Sequence, residues 1–330
     1  MQILLHVLFL IVGFALLIKG ADLFVVSSSS IARKFNVSPL IIGLTLVAFG
    51  TSLPELAVSF AASISARQQG ITADIAMGNI IGSNISNLTL ILGFTAVVMP
   101  VAVRRTMIRK EFPFLITTTV LILIFSLFFQ ANYEIVRLEA LVLLAFFGYY
   151  LYRTFRSRVV PDEIDDRVLN VRKAIALLFI GIIGVSAGGY LVTTGAEYIS
   201  IQWIVSTFGV SITKATTLVG LSVVALGTSL PELVTSVMAA RKGENEIALG
   251  NVVGSNVFNT LLVIGLSGTV VPLSLGGEVI FDMLIAIVIT LIVAVFAFTK
   301  LMISRKEGVI LLVLYVLYIA FITIRGLGAF

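Results

Sequence analysis

The stretch VAFGTSLPELAVS at 47–59 recurs as VALGTSLPELVTS at 224–236, and GNIIGSNISN at 78–87 recurs as GNVVGSNVFN at 250–259. Two long near-identities in one order make an internal repeat. The offsets are 177 and 172 residues, so the segment between the motifs is five residues shorter in the second copy. A weaker echo, GAD at 20–22 against GAE at 195–197, carries the repeat further toward the start of each copy.

Everything around the motifs is apolar. The chain of 330 residues is 59% hydrophobic and 12% charged, with a mean hydropathy of +1.13, whereas a soluble domain carries roughly 25% charged residues. Apolar windows at 3–26, 39–64, 75–98, 113–130, 134–152, 174–192, 214–240, 246–270, 279–299 and 308–324 predict ten membrane helices, which at about 20 residues each leave only short loops. The one polar stretch, from 153 to 173, divides the chain into a first five-helix unit, 1–152, a connector, 153–173, and a second unit, 174–330. Five is odd, so the second copy enters the membrane from the opposite side. The predicted fold class is an all-α membrane protein of ten transmembrane helices in two inverted repeats, a plan shared by many secondary transporters.

Basic residues test this plan. With the amino terminus outside, 17 of the 22 Lys and Arg fall on the cytoplasmic side, and reversing the topology or removing one early helix scatters the bias. Both termini are therefore expected to be extracellular. The net charge of +5 reads as orientation rather than nucleic-acid binding. The first apolar segment lacks a basic cluster before it and is expected to be a retained span rather than a signal peptide. With no cysteine, disulfides, thiolate metal sites and iron–sulfur clusters are excluded. The single His6 is expected to be a packing residue.

The repeated motifs hold the chemistry. Pro54 and Pro231 lack an amide donor, and Gly50 and Gly227 permit unusual backbone geometry, so both helices should break within the membrane. A break frees backbone carbonyls, tolerated at that depth only where protein or a water-filled cavity surrounds them. Glu55 and Glu232 are carboxylates at repeat-related positions in apolar windows, which reads by default as an ion or proton site. Together they could neutralise a divalent cation. Thr51, Ser52, Thr228 and Ser229 add hydroxyls. Asn79, Ser83, Asn84 and Asn87, with Asn251, Ser255, Asn256 and Asn259, add neutral oxygens, and the spacing Ser83–Asn87 and Ser255–Asn259 puts each pair on one helical face. Such an all-oxygen set suits Ca²⁺ or Na⁺ and not copper or zinc. Gly43, Gly78, Gly82, Gly220, Gly250 and Gly254 serve helix packing, site shaping or both.

These four motifs resemble the two alpha-repeats of the cation/Ca²⁺ antiporter superfamily, and the chain is most similar to its prokaryotic sodium/calcium exchangers. The resemblance implies a central core of motif helices with the first and sixth helices sliding against it. It implies that Glu55 and Glu232 ligate Ca²⁺. Thr51, Ser52, Ser83, Thr228, Ser229 and Ser255 would line Ca²⁺ and Na⁺ sites, joined by the carbonyls of Ala48 and Ala225 and by Asn87 and Asn259. It also implies a departure, because the best understood members carry aspartate where this chain has Asn259. The function implied is exchange of Na⁺ for Ca²⁺ across a prokaryotic plasma membrane. Ca²⁺ and Na⁺ are the transported ions, with no organic cofactor, no nucleic acid, no ATP and no required oligomer; the surrounding partner is lipid.

Proton coupling stays open as an alternative, since burial in low dielectric favours the protonated form of any carboxyl group. Exchange of another cation and passive conduction are the other rivals. No GxxxxGK[ST] loop is present, which disfavours ATP-driven pumping, and no Ser–base motif supports a hydrolase. Asp22 and Glu197 hold matching places and are expected to pair structurally or sit at hydrated helix ends. Lys19 lies three residues before Asp22 on one face. Asp282 is expected at the interface. The acidic run Asp162, Glu163, Asp165 and Asp166 reads as solvated connector.

Overall fold

A computed structural model describes residues 2–129, 133–156, 169–209, 211–212 and 225–326, and these are helical almost throughout. In the first half, α1 spans Gln2–Lys34, α2 Pro39–Thr51, α3 Leu53–Gln69, α4 Ala76–Val98, α5 Phe112–Ile124 and α6 Arg137–Arg156. In the second, α7 spans Val171–Phe208, α8 Ala225–Thr228, α9 Leu230–Arg241, α10 Asn245–Val270, α11 Gly277–Lys300 and α12 Arg305–Gly326. Among the described residues seven helices are long and apolar enough to cross a membrane, or eight when the bent pair α2–α3 is taken as one span. The expected window 113–130 falls on α5 and its flanking π-helical turns at Met107–Glu111 and Phe125–Phe129. Of window 214–240, residues 214–224 lie outside the described set, as do Gly220 and the acidic residues of the connector.

The first and sixth windows understate their helices. α1 continues past residue 26 through four serines, of which Ser27 returns its hydroxyl to the carbonyl of Leu23 at 2.6 Å and Ser29 donates to Glu244. It stops where Asn36 takes φ 51°, with the amide of Val37 on the carbonyl of Ala32 at 2.9 Å, a left-handed cap. α7 runs 38 residues. Thr193 there bonds back to the carbonyl of Gly189 at 2.8 Å, so the polar TTGAE segment stays helical until Gly209 ends it at φ 63°.

α1 and α7 lie against each other along facing glycines. A Cβ on Gly20 would stand 2.7 Å from the amide of Val185, and one on Gly188 would stand 2.6 Å from that of Leu17, the close backbone approach that small residues allow in membranes. His6 stacks on Tyr198 in this pair with ring centroids 3.8 Å apart, the packing role expected of it.

The remaining elements interlock across the halves. The strands are β1, Val101–Ala102, β2, Glu134–Ile135, β3, Leu273–Ser274, and β4, Met302–Ile303. β1 pairs antiparallel with β4, and β2 with β3. β1 and β3 follow α4 and α10, while β2 and β4 precede α6 and α12, so the two ribbons are repeat-related. The helices agree: Gly93 of α4 meets Gly308 of α12, and Gly265 and Gly268 of α10 meet Ala140 of α6. Even the caps match, since Glu139 accepts the amide of Val136 at 2.8 Å and Glu307 that of Ser304 at 2.6 Å. α10 is enclosed, with every residue from Ile247 to Val257 buried.

Candidate functional site

Both motif helices break where the prolines predict. Ser52 sits at φ −82°, ψ 6° and Ser229 at φ −88°, ψ 0°, and α2 and α3 meet at a 48° bend. The break starts a new helix two residues before each glutamate. Glu55 and Glu232 therefore lie in the first turns of α3 and α9, where unpaired amides and the positive end of the helix dipole favour a carboxylate. Both are 0% exposed, so their charge must be met by the protein or by a bound ion.

Hydroxyls meet one oxygen of each. Ser83 donates to Oε1 of Glu55 at 3.2 Å, and Ser52 donates to Oε1 of Glu232 at 3.3 Å. Ser83 also lies 3.5 Å from the hydroxyl of Ser229 and accepts from Nδ2 of Asn259 at 3.4 Å. Thr51 donates to Oδ1 of Asn251 at 2.9 Å and stands 3.4 Å from the hydroxyl of Ser255. Asn87 gives its amide to Oδ1 of Asn256 at 2.8 Å. Ser83 and Ser52 thus meet the two carboxylates, Ser229 and Asn259 meet Ser83, Ser255 stands beside Thr51 and Asn87 is tied to Asn256, all of them buried.

What remains is a set of acceptors. Oε2 of Glu55, Oε2 of Glu232, Oδ1 of Asn87 and Oδ1 of Asn259 are buried without a hydrogen-bond partner among the described residues. Leaving such atoms unmet costs about 1–3 kcal/mol each, more for charged groups. A cation within reach of such oxygens would satisfy them. Among the described residues no group of three or more His, Cys, Asp or Glu comes together, so the charge available here is that of the two glutamates.

The other expected ligands differ. The carbonyl of Ala48 accepts the amide of Ser52 at 3.0 Å and the hydroxyl of Thr51 at 3.3 Å. At the second break the amide of Ser229 goes instead to Leu226 at 3.2 Å, which leaves the carbonyl of Ala225 without it. Thr228 is half-buried on the wall of a cavity of about 850 Å³, together with Pro54, Pro231, Ser186, Thr193 and Glu197. Asp22 pairs with Lys242 at 2.7 Å rather than with Lys19. Asp282, in the second turn of α11, is 8% exposed and holds Arg325 through two bonds of 3.0 and 2.8 Å.

Two serines escaped the sequence reading although both lie at the ends of the first motif and its repeat. Asn79 donates to Ser59 at 3.0 Å and Asn251 donates to Ser236 at 2.9 Å, matching ties that fix α3 to α4 and α9 to α10. Asn84 and Asn256 likewise join α4 to α10, through Thr260 at 3.0 Å and the carbonyl of Asn84 at 3.1 Å. The signal for the two serines was available in their equal offsets from Glu55 and Glu232.

Residues 5–156 and 173–324 each match the family model for sodium/calcium exchanger proteins. The chain belongs to the sodium/calcium exchanger family. It is 35% identical over 349 residues to the sodium/calcium exchanger MaX1 of Methanosarcina acetivorans, covering 94% of this chain and 97% of that one. It is 37% identical over 327 residues to the provisionally named antiporter CaxA of Alkalimonas amylolytica, covering 94% and 96%. Among solved structures it is similar to the sodium–calcium exchanger NCX_Mj soaked with zero Na⁺ and Ca²⁺, with a TM-score of 0.80, 32% identity and coverage of 97% and 99%. This chain is accordingly a multi-pass membrane protein and an exchanger-type antiporter of the cation/Ca²⁺ antiporter superfamily, from a family of transporters rather than enzymes.

Proposed function

We propose that this antiporter expels Ca²⁺ from a prokaryotic cell across the plasma membrane in exchange for entering Na⁺. The observation that carries the reading is the set of unmet buried oxygens on Glu55, Glu232, Asn87 and Asn259. Two carboxylates balance one Ca²⁺, and the neutral hydroxyl and amide oxygens of Thr51, Ser52, Ser83, Thr228, Ser229 and Ser255, with the carbonyls of Ala48 and Ala225, supply the many oxygen ligands that Ca²⁺ and Na⁺ accept. Because the ligands overlap, Ca²⁺ and Na⁺ compete, and loading one favours release of the other.

In this reading ten helices form two inverted halves, 1–152 and 174–330, joined by the cytoplasmic connector 153–173, with both termini outside. The crossed ribbons and matched glycine contacts support that arrangement. A mid-membrane site between two broken helices suits exposure to one side at a time better than it suits a continuous pore.

Glu55→Gln and Glu232→Gln keep the shape of the site and remove one negative charge each. Either change should reduce Ca²⁺ exchange in proteoliposomes at least about 100-fold, the cost of roughly 3 kcal/mol for a lost charged ligand, with unaltered membrane insertion. Normal exchange by either variant would show that the ions bind elsewhere.

A further inference from the structure

Helices that build the site are not α-helical throughout. α2 contains a π-helical turn at Gly43–Val47, α4 one at Asn87–Ile91 and α10 one at Phe258–Val263. A π turn takes one residue more than an α turn, so everything beyond it is rotated by about 100° from where a straight helix would put it. In α2 that rotation bears on the site. Gly43 and Leu44, at the start of the turn, lie against the backbone of α10 at Gly250 and Gly254. Thr51 and Ser52, beyond the turn, reach Asn251 and Glu232. Were the turn to relax to α-helix with its start held, both hydroxyls would swing away from these partners.

The turn leaves one carbonyl over. The amide of Ala48 bonds back to Gly43, five residues away, and the amide of Ser52 bonds back to Ala48, four away. Between these bonds stand the amides of residues 49–51 and the carbonyls of residues 44–47, three donors for four acceptors. The second acceptor of the Ala48 amide is Thr45, not Leu44. Tyr150 of α6 supplies the missing donor, giving its hydroxyl to the carbonyl of Leu44 at 3.1 Å.

That hydroxyl is aimed by its surroundings. Tyr150 is fully buried, and its ring stacks on Phe114 of α5 with centroids 5.3 Å apart. The guanidinium of Arg153 lies 4.6 Å from the Phe114 ring and 5.7 Å from the Tyr150 ring, and Glu111 holds Arg153 at 2.5 Å. The second half has the same parts. Tyr318 follows Glu307 by eleven residues, as Tyr150 follows Glu139, and the pair Asp282–Arg325 stands near it. Leu221, the repeat partner of Leu44, lies outside the described residues.

We propose that Tyr150 is a positioning residue for ion exchange: its hydroxyl holds the π turn of α2 and so keeps Thr51 and Ser52 turned to the site. It touches no transported ion. The proposal rests on the antiport reading above, because the groups it positions are those assigned there to Ca²⁺ and Na⁺.

Tyr150→Phe keeps the ring and removes only the hydroxyl. Two quantities are read on the purified full chain: equilibrium ⁴⁵Ca²⁺ binding, and hydrogen exchange of the amides of residues 48–52 in choline buffer without Na⁺ or Ca²⁺. The variant should weaken Ca²⁺ binding and speed this exchange, each about fivefold, the size of one buried hydrogen bond. Thr290→Val is the control, since it removes a buried hydroxyl-to-carbonyl bond of 2.7 Å from α11, which is α-helical throughout. It should lower the unfolding midpoint as much as Tyr150→Phe does and leave both quantities unchanged. A Tyr150→Phe protein with a lowered midpoint but unchanged exchange at 48–52, or equal loss of Ca²⁺ binding in Thr290→Val, would overturn the proposal. A parent protein that binds no Ca²⁺ would instead refute the antiport reading, while the exchange readout, which needs no ion, would still decide for or against the turn. Should Tyr150→Phe not insert, Arg153→Gln frees the ring and should speed the same amides by a smaller factor; unchanged exchange there would overturn the proposal equally.

Discussion

Asn259 is a neutral side chain tied through Ser83 to the carboxylate of Glu55. Its Oδ1 is one of the unmet acceptors, and its Nδ2 is spent on Ser83. Asn259→Asp adds a third negative charge beside Glu55 and Glu232 in a position enclosed to 0% exposure. A site that two carboxylates balance against one Ca²⁺ then holds an uncompensated charge, which a further Na⁺ or a proton would relieve. The variant should change the Na⁺ dependence of Ca²⁺ flux, measured as the slope of rate against Na⁺ concentration; an unchanged slope would place Asn259 outside the site. At this scale the carboxylates were legible because a charge in hydrocarbon is too costly to persist without an ion, a proton or a paired group to meet it. The roles of the asparagines were not. Whether an amide ligates an ion, as is open to Asn87, or ties two helices, as Asn251 does through Ser236, depends on which helix faces it across the bundle, and no spacing within one segment records that.

At the scale of elements, the glycines of the second motif make the core close. A Cβ at Gly250 would stand 2.9 Å from the Cα of Gly43 and from the amide of Leu44, and one at Gly254 would stand 2.7 Å from the carbonyl of Leu44. Backbone cannot move aside as a side chain can. Gly250→Val should therefore lower stability by about 1–3 kcal/mol or more, read as a fall in the thermal unfolding midpoint in detergent. Gly148→Ala, where no atom lies within 4 Å of the added carbon, should hold or raise stability because alanine favours the helix by up to about 1 kcal/mol. Equal tolerance of both would contradict the packing role. The helix breaks at Ser52 and Ser229 could be read directly from Pro54 and Pro231, since a missing donor acts locally. The full lengths of α1 and α7 could not, because polar segments such as Ser27–Ser30 and Thr193–Glu197 look like helix ends until Ser27 and Thr193 are seen returning their hydroxyls to their own turns.

For the whole molecule, the repeat goes deeper than the letters do. Sequence similarity between the halves is plain in the motifs and faint elsewhere, yet β1–β4 and β2–β3, Gly93–Gly308 and Gly265–Ala140, and the caps at Glu139 and Glu307 are matched pairs. Contact geometry is preserved by any residues of suitable size, so symmetry of this kind survives where identity is lost. The polar grip on α1 by Lys242 and Glu244 has no counterpart on α7 among the described residues.

The central claim is that Na⁺ drives Ca²⁺ through the site between Glu55 and Glu232. The most direct measurement is ⁴⁵Ca²⁺ uptake by proteoliposomes under an imposed Na⁺ gradient, run beside an equal pH gradient without Na⁺. Uptake that requires the Na⁺ gradient, and is lost in Glu232→Gln, is the predicted result. Uptake driven by the pH gradient alone would contradict Na⁺ coupling and make the two glutamates proton carriers.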